Sequence, residues 1–309
     1  MNSSFTTDAA FQRAQETVLH ALDGGCKPLV KAFFDEATST ISYVVHDPGT
    51  MRAAVIDPVL DFEIGTSAPG VKSADALIGY ISLNNLKVDW ILETHVHADH
   101  LTAAFHLKAV LGGSTATGRG IHDVYRLIHK GCAQSRVEGD VAFDRLLSDG
   151  DVIEIGGISC VALHVPGHTP SDTAFVIGDA VFCGDTMLMP DFGTARADFP
   201  GGDANVLFRS IRRLQALPDA ARVFTCHDYK APGRSDYAWE ASMLEQRNSN
   251  IHASASVDEA HFVSLRTARD ATLARPRMMV PAIQFNVRGG RSPDPDGTDW
   301  HYTIADCGD

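Results

Sequence analysis

The sequence predicts an α/β fold in which two β-sheets face one another with helices on their outer sides. Three observations carry this. Short β-rich runs occur in two separate blocks, and each block is followed by helical segments. The strands are bounded by Gly, Pro or Asp, as chain reversals between strands require. Neither standard spacing of a Gly-rich phosphate loop is present, so a nucleotide-binding sheet has no support.

Taken in order, residues 1–27 form an extension. An amphipathic surface helix over 11–22 is stopped there by Asp23-Gly24-Gly25. From Pro28 the runs 29–34, 40–45 and 52–57 alternate with turn-prone stretches, the pattern of an antiparallel meander. Ser73 suits the N-cap of a helix through Ala76, Leu77, Tyr80 and Ile81 that ends near Asn84-Asn85. A strand over 88–94 then runs straight into His95. Helices are expected over 102–111 and 121–130, stopped by Gly112-Gly113 and Gly131. The closely spaced strands 151–155, 158–165, 173–178 and 180–185 follow. A helix over 204–217 leads to a strand, 222–226, that ends at His227. Helices at 237–246 and 257–269 precede a Pro- and Gly-punctuated tail over 281–297. The expected organisation is an extension (1–27), one domain (28–235), and a helical C-terminal extension with its tail (236–309) packed on that same domain.

Composition narrows the function. Of 309 residues, 44% are hydrophobic and 21% charged, enough apolar material for a sizeable core. The 26 Lys+Arg against 39 Asp+Glu leave a formal charge of −13, which argues against nucleic-acid and membrane-surface binding. No apolar run approaches the roughly 20 residues of a spanning helix. The start of the chain has no basic segment followed by an apolar one, so a cytoplasmic location is expected. Cys26, Cys132, Cys160, Cys183, Cys226 and Cys307 form no C-x-x-C pair and read as reduced thiols.

The sharpest feature is His95-Val96-His97-Ala98-Asp99-His100, directly after an apolar strand. Three imidazoles and a carboxylate at one strand end converge on a small volume, as zinc or iron requires. Further polar groups stand where later strands end: Gly167-His168-Thr169, Gly184-Asp185-Thr186 and Cys226-His227-Asp228. In this order the motifs resemble those of the metallo-β-lactamase superfamily over about residues 28–235. The resemblance implies an αβ/βα four-layer sandwich with metal between the sheet rims.

Within that superfamily, four stretches resemble the persulfide dioxygenases, in the bacterial branch often labelled β-lactamase-like hydrolase. They are 184–190 leading into 193–199, His227-Asp228-Tyr229, residues 240–250, and Asn286-Val287-Arg288-Gly289-Gly290 at the end of 281–290. One departure stands out, since the G-C-G-R loop of glyoxalase-type relatives is G-T-A-R here, ending at Arg196. The resemblance implies a non-haem Fe(II) enzyme that oxidises glutathione persulfide with O2 and water to sulfite and glutathione, in sulfide detoxification. It carries one iron per chain onto His95, His168 and Asp185. His97, Asp99, His100 and His227 then form a surrounding hydrogen-bonding shell, or hold a second metal in hydrolytic cousins. A homodimer is the family's expectation.

Glutathione is anionic and the chain acidic, so a local cation is needed. Arg196 is the first candidate, with Tyr229, Asn286 and Arg288 as further substrate contacts. The competing reading is a dinuclear hydrolase of a thioester or lactone, glyoxalase II-like, with two zinc ions. A third is a metal-binding sensor without turnover, against which the full ligand set argues. Cys183 and Cys226, beside ligand positions, read as small buried hydrophobes. Asp57 reads first as a strand terminator.

Overall fold

The structure, a computed structural model, describes residues 8–63, 68–131 and 142–291. Cys132, Cys307, residues 1–7 of the extension and residues 292–297 of the tail lie outside the described residues.

Helix α1 (Ala9–Leu22) is capped by Asp8, whose carboxylate accepts from the Ala10 and Phe11 amides. Then β1 (Leu29–Asp35), β2 (Thr40–His46) and β3 (Arg52–Ile56) form the anticipated antiparallel meander, with Leu29 opposite His46 and Tyr43 opposite Ile56. After β4 (Val59–Leu60) comes α2 (Lys72–Leu83). Its cap corrects the expectation for Ser73, which sits inside the first turn. Asp61, from the preceding loop, accepts from the Ser73 amide at 2.9 Å and the Ser73 hydroxyl at 2.8 Å. Strand β5 (Lys87–Glu93) lies parallel to β3, so both strands end on the same rim. β6 (Leu101–Thr102) pairs with β4, and α3 (Ala104–Leu111) follows. Neither β7 (Ser114–Gly118) nor β8 (Arg145–Leu147), which flank α4 (Ile121–Gly131), was anticipated. Short and poor in β-branched apolar residues, they become strands by parallel pairing, β7 on β5 and β8 on β7.

The second sheet is built from β9 (Val152–Ile155), β10 (Ile158–His164), β11 (Thr173–Ile177) and β12 (Ala180–Phe182). Helix α5 (Ala204–Gln215) crosses to β13 (Arg222–Phe224), which joins β12 in parallel, and β14 (Glu240–Ser242) closes the edge. The helix expected over 237–246 is therefore half strand. Helix α6 (Met243–Ser249) starts after Ser242, where a reciprocal capping box with Glu245 marks the boundary. α7 (Glu259–Asp270) comes next, and α8 (Met279–Asn286) lies inside what read as a punctuated tail. Pro281 does not break α8, because it falls in the first turn, where no intrahelical N–H bond is lost.

The strand orders are β1-β2-β3-β5-β7-β8 and β14-β13-β12-β11-β10-β9. Alternation along the strands sorts side chains into layers. Cys160 and Ala162 face the inter-sheet core with Tyr43, Phe175 and Phe182, while Val161 and Leu163 face a helical layer with Leu207 and Ile211. Burying each such large side chain contributes about 1.5–3 kcal/mol. Helix α1 belongs to that layer. Its Ala10, Phe11, Ala14 and Val18 are buried in the same cluster, so it is an integral wall of the sandwich and no mere surface helix. On the far side, α2, α3 and α8 cover the first sheet through Leu77, Ile81, Leu107 and Phe285. Layers of helix, sheet, sheet and helix result, as the α/β expectation required.

Candidate metal centre

Both sheets deliver chemistry to one rim. On the first, Asp57 follows β3 and is the hub that fixes the His95 loop. Its carboxylate accepts from the Thr94 amide at 2.7 Å and from the Thr94 hydroxyl at 2.8 Å. That hydroxyl has given away its one hydrogen, so at 3.0 Å it accepts from His95 Nδ1–H. His95 Nε2 is left with its lone pair for the site. Asp57 also meets His97 Nε2 at 3.1 Å, and Glu93 meets the same nitrogen at 3.3 Å.

The second sheet supplies one residue per strand end. His168 follows β10, and its turn is tied by Asp172, which accepts from the His168 and Thr169 amides at 2.9 and 2.8 Å. Gly167 is obligatory there. Its φ is +142°, and a Cβ would lie 2.3 Å from the Leu207 backbone. His168 Nδ1–H donates to the Arg196 carbonyl at 2.7 Å, which leaves Nε2 facing Asp185 Oδ2 at 3.4 Å. Asp185 follows β12. His227 follows the parallel neighbour β13, donates Nδ1–H to the Ser39 carbonyl at 3.2 Å, and turns Nε2 to Asp99 Oδ2 at 3.4 Å and Asp185 Oδ1 at 3.6 Å.

His95, His168 and Asp185 thus come together, each offering one atom and all three atoms lying within 4.8 Å of one another. His97, Asp99 and His100 make a second such group, and His97 with Cys226 and His227 a third. Burial, reinforced by the neighbouring His97 and His168, pushes His95 well below the ordinary imidazole range, so it is a neutral donor. Burial opposes charge on His97, but Asp57 and Glu93 outweigh it and push that imidazole up. Burial likewise drives Glu93 up to about 7 against the pull of His97. For Asp99, His227 and His100 overcome burial and hold the carboxyl well down. Burial drives the Cys183 thiol up to about 12 and Cys226 up as well, which fits two inert buried side chains.

Among the described residues, four buried polar atoms of this cluster lack a hydrogen-bond partner: Asp185 Oδ1, Glu93 Oε2, His100 Nε2 and His97 Nδ1. A dehydrated carboxylate oxygen such as Asp185 Oδ1 is costly unless something cationic satisfies it. Two imidazoles, His95 and His168, each with Nδ1–H engaged and Nε2 turned inward beside the Asp185 carboxylate, are a donor set suited to a transition-metal ion, so the residues fit one.

The centre opens into a cleft of about 300 Å³ walled by Leu188, Phe192, Phe199, Leu273 and Pro276. Tyr229 stands on it, half exposed and stacked on His227 with ring centroids 5.6 Å apart. The turn that presents it is held by buried Asp228, which accepts from Arg234 through two 2.6 Å bonds. Arg196 also lines the cleft, but its guanidinium is already engaged: two bonds to Asp198 at 2.6 and 2.8 Å, and one to the Ala274 carbonyl at 2.8 Å. The guanidinium expected to receive a carboxylate is thus on the cleft but already paired, and the Arg196 carbonyl orients His168.

Asn286, expected as a substrate contact, is buried and bonded to the backbone of the His97 loop, away from the cleft lining. Arg288 likewise does not line the cleft and bonds the Gln284 carbonyl on its own helix. What the sequence reading missed is Arg269. Of the three arginines on the cleft, Arg266 is paired with Asp270 and Arg196 with Asp198. Arg269 is exposed over the Phe192 ring at 5.9 Å and, among the described residues, has no carboxylate partner. The Arg266–Arg269 spacing on α7 was legible; that this face turns to the cleft was not. Glu93 and Thr40, whose hydroxyl lies 3.4 Å from Asp99, His100 and His227, were also missed.

Known proteins agree with this geometry. The chain is 44% identical to a protein of Burkholderia pseudomallei named as a probable metallo-hydrolase, over 88% of this chain and 97% of that one. It is 37% identical to glyoxylase B2 of Dictyostelium discoideum over 89% and 96%, and 28% identical to the human mitochondrial persulfide dioxygenase ETHE1 over 92% and 97%. Three further relatives, each 45% identical, are longer, and the chain spans 64% of each. The crystal structure of ETHE1 from Myxococcus xanthus superposes with a TM-score of 0.68 at 27% identity, covering 85% of this chain and all of that one. The model of the metallo-beta-lactamase superfamily matches residues 36–227. With its paired sheets and its His/Asp rim, the chain belongs to that superfamily.

Proposed function

We propose that this enzyme is an iron-dependent persulfide dioxygenase that converts glutathione persulfide, O2 and water to sulfite and glutathione. The observation that carries the reading is the grouping of His95, His168 and Asp185 at the floor of a cleft on which Tyr229 stands. The overall similarity to a persulfide dioxygenase across nearly the whole length of both chains supports it.

His95 and His168 turn Nε2 inward, their Nδ1–H groups being engaged elsewhere, and Asp185 adds a carboxylate, so these three would hold Fe(II). Bound there, iron supplies the redox chemistry with O2 that zinc lacks. The remaining groups position and hydrogen-bond. Asp99, His100 and His227 orient water beside the reacting sulfur, and His97, clamped by Asp57 and Glu93, buttresses the floor. The Tyr229 hydroxyl donates to the substrate's sulfur end. Arg269 at the mouth receives a glutathione carboxylate, and the apolar walls exclude bulk water from the persulfide.

A second reading, a dinuclear zinc hydrolase of a thioester or lactone, is favoured by one observation. His97 Nδ1 and His100 Nε2 are buried without partners, next to the carboxylate-facing His227 Nε2. An oxygen electrode run with sulfite detection decides between them. Glutathione persulfide drives O2 uptake and sulfite formation, with S-lactoylglutathione hydrolysis negligible, if the dioxygenase reading holds. Fast thioester hydrolysis without O2 uptake, from protein holding two zinc ions per chain, establishes the hydrolase instead.

A further inference from the structure

We propose that Asn286, at the end of α8, is a positioning residue for the metal centre that sets the path of the backbone carrying His97, Asp99 and His100. Residues 94–100 form no regular strand or helix, so their peptide groups must find partners elsewhere. Asn286 supplies two of them, and a third for the Thr102 amide just beyond, from a single side chain. Its Nδ2 donates to the His97 carbonyl at 2.9 Å and to the His100 carbonyl at 2.8 Å, and its Oδ1 accepts from the Thr102 amide at 2.9 Å. Both amide hydrogens are used, and the two carbonyls and one N–H leave the amide a single orientation.

The clasp is built on a rigid mount. Asn286 is 3% exposed, and on the same helix Ala282 and Phe285 are buried in the core that covers the first sheet. Gly290, with φ +85°, closes the helix so tightly on the motif that a Cβ would lie 2.9 Å from the Thr102 carbonyl. The chain thus returns from about 190 residues downstream, a separation of 189 for the His97 bond, to pin the loop behind its side chains. The carbonyls it grips flank Ala98 and Asp99. Freeing them lets the loop relax and carries the Asp99 carboxylate and the His97 and His100 rings off position. The inference holds whichever ion the centre takes and whichever reaction it runs.

The test measures metal binding, not turnover. Asn286→Asp keeps the shape and the acceptor but removes both donors; Asn286→Ser serves if that variant does not fold. Leu214→Ala, in the core on the far side of the second sheet, is the control for general destabilisation. Zinc affinity by chelator competition, the visible spectrum of the cobalt-substituted protein and Tm are recorded for each. The expected result is a ten- to hundredfold loss of zinc affinity and an altered cobalt spectrum in the Asn286 variant. Leu214→Ala, with an equal or larger fall in Tm, keeps both. Unchanged affinity and spectrum in the Asn286 variant, or changes matched by Leu214→Ala, overturn the proposal.

Discussion

The floor and the outer wall of the cleft are held in opposite ways. Every described side chain of the floor is buried or nearly so, and the loop that carries His95 to His100 is pinned by Asp57, Ser171 and Asn286. The wall contributed by α7 and residues 271–276 presents exposed groups, Arg269 and Leu273 among them, while its inner side is anchored by buried Phe262, by Arg266 on the Thr194 carbonyl, by Asp270 on the Ala197 amide and by Arg196 on the Ala274 carbonyl. A metal centre needs donors fixed to within a fraction of an ångström, whereas a substrate must enter and leave past its wall. The contrast implies that changes in the floor act on the metal, and changes in the wall on the substrate.

The largest effect tests the floor. His168→Ala or Asp185→Ala removes one of three protein donors, so metal is lost after anaerobic reconstitution, and activity with it. His227→Ala retains one ion per chain with affinity or activity lowered about 10–100-fold. A fall from two ions to one in His227→Ala would falsify the mononuclear centre.

The next effect belongs to the wall. Arg269→Ala raises KM for glutathione persulfide roughly ten- to hundredfold, the loss of a charge-assisted contact of about 1.5–3 kcal/mol, with metal content unchanged. Arg196→Ala lowers Tm and leaves KM near its starting value. The reverse ranking in steady-state kinetics restores Arg196 as the carboxylate receptor.

The smallest effect lies between floor and wall, at buried His252, whose Nδ1 accepts from the Thr194 amide at 3.0 Å. Burial, then Arg266 and Arg269, holds its pKa down to about 4. The unfolded imidazole protonates near 6.5, so stability is full above that pH and is lost as pH falls toward 4. Relative to wild type, His252→Asn flattens this dependence by about 1–2 kcal/mol at pH 5, read from Tm against pH. Parallel curves for the two proteins remove His252 from the acid sensitivity.

How much was legible follows from the range of the interactions. The metal residues were visible because each sits at a strand end, and a strand end is announced locally by an apolar run meeting a polar turn. The boundary at Ser242 was also visible in principle, since a capping box is a four-residue pattern. Strands β7 and β8 were not, because their conformation comes from pairing, β7 with β5 and β8 with β7, and not from their own residues. The surroundings of the expected substrate contacts were not legible: that Asp198 and the Ala274 carbonyl flank Arg196, and that α8 brings Asn286 beneath His97, appears only in the folded chain.

By itself, then, the sequence determined the layer order and the rim on which polar groups gather, because periodicity and strand ends are short-range properties of the chain, whereas the choice of His95, His168 and Asp185 within that rim rested on the family resemblance. Only the tertiary structure decided which of three arginines keeps an open charge, which ring nitrogens retain a lone pair, and what grips the histidine loop from behind. Those depend on partners that only the folded chain selects, from Asp198 two residues from Arg196 to His97 at a separation of 189 from Asn286. Hydrogen-bond capacity is finite, and only folding assigns it.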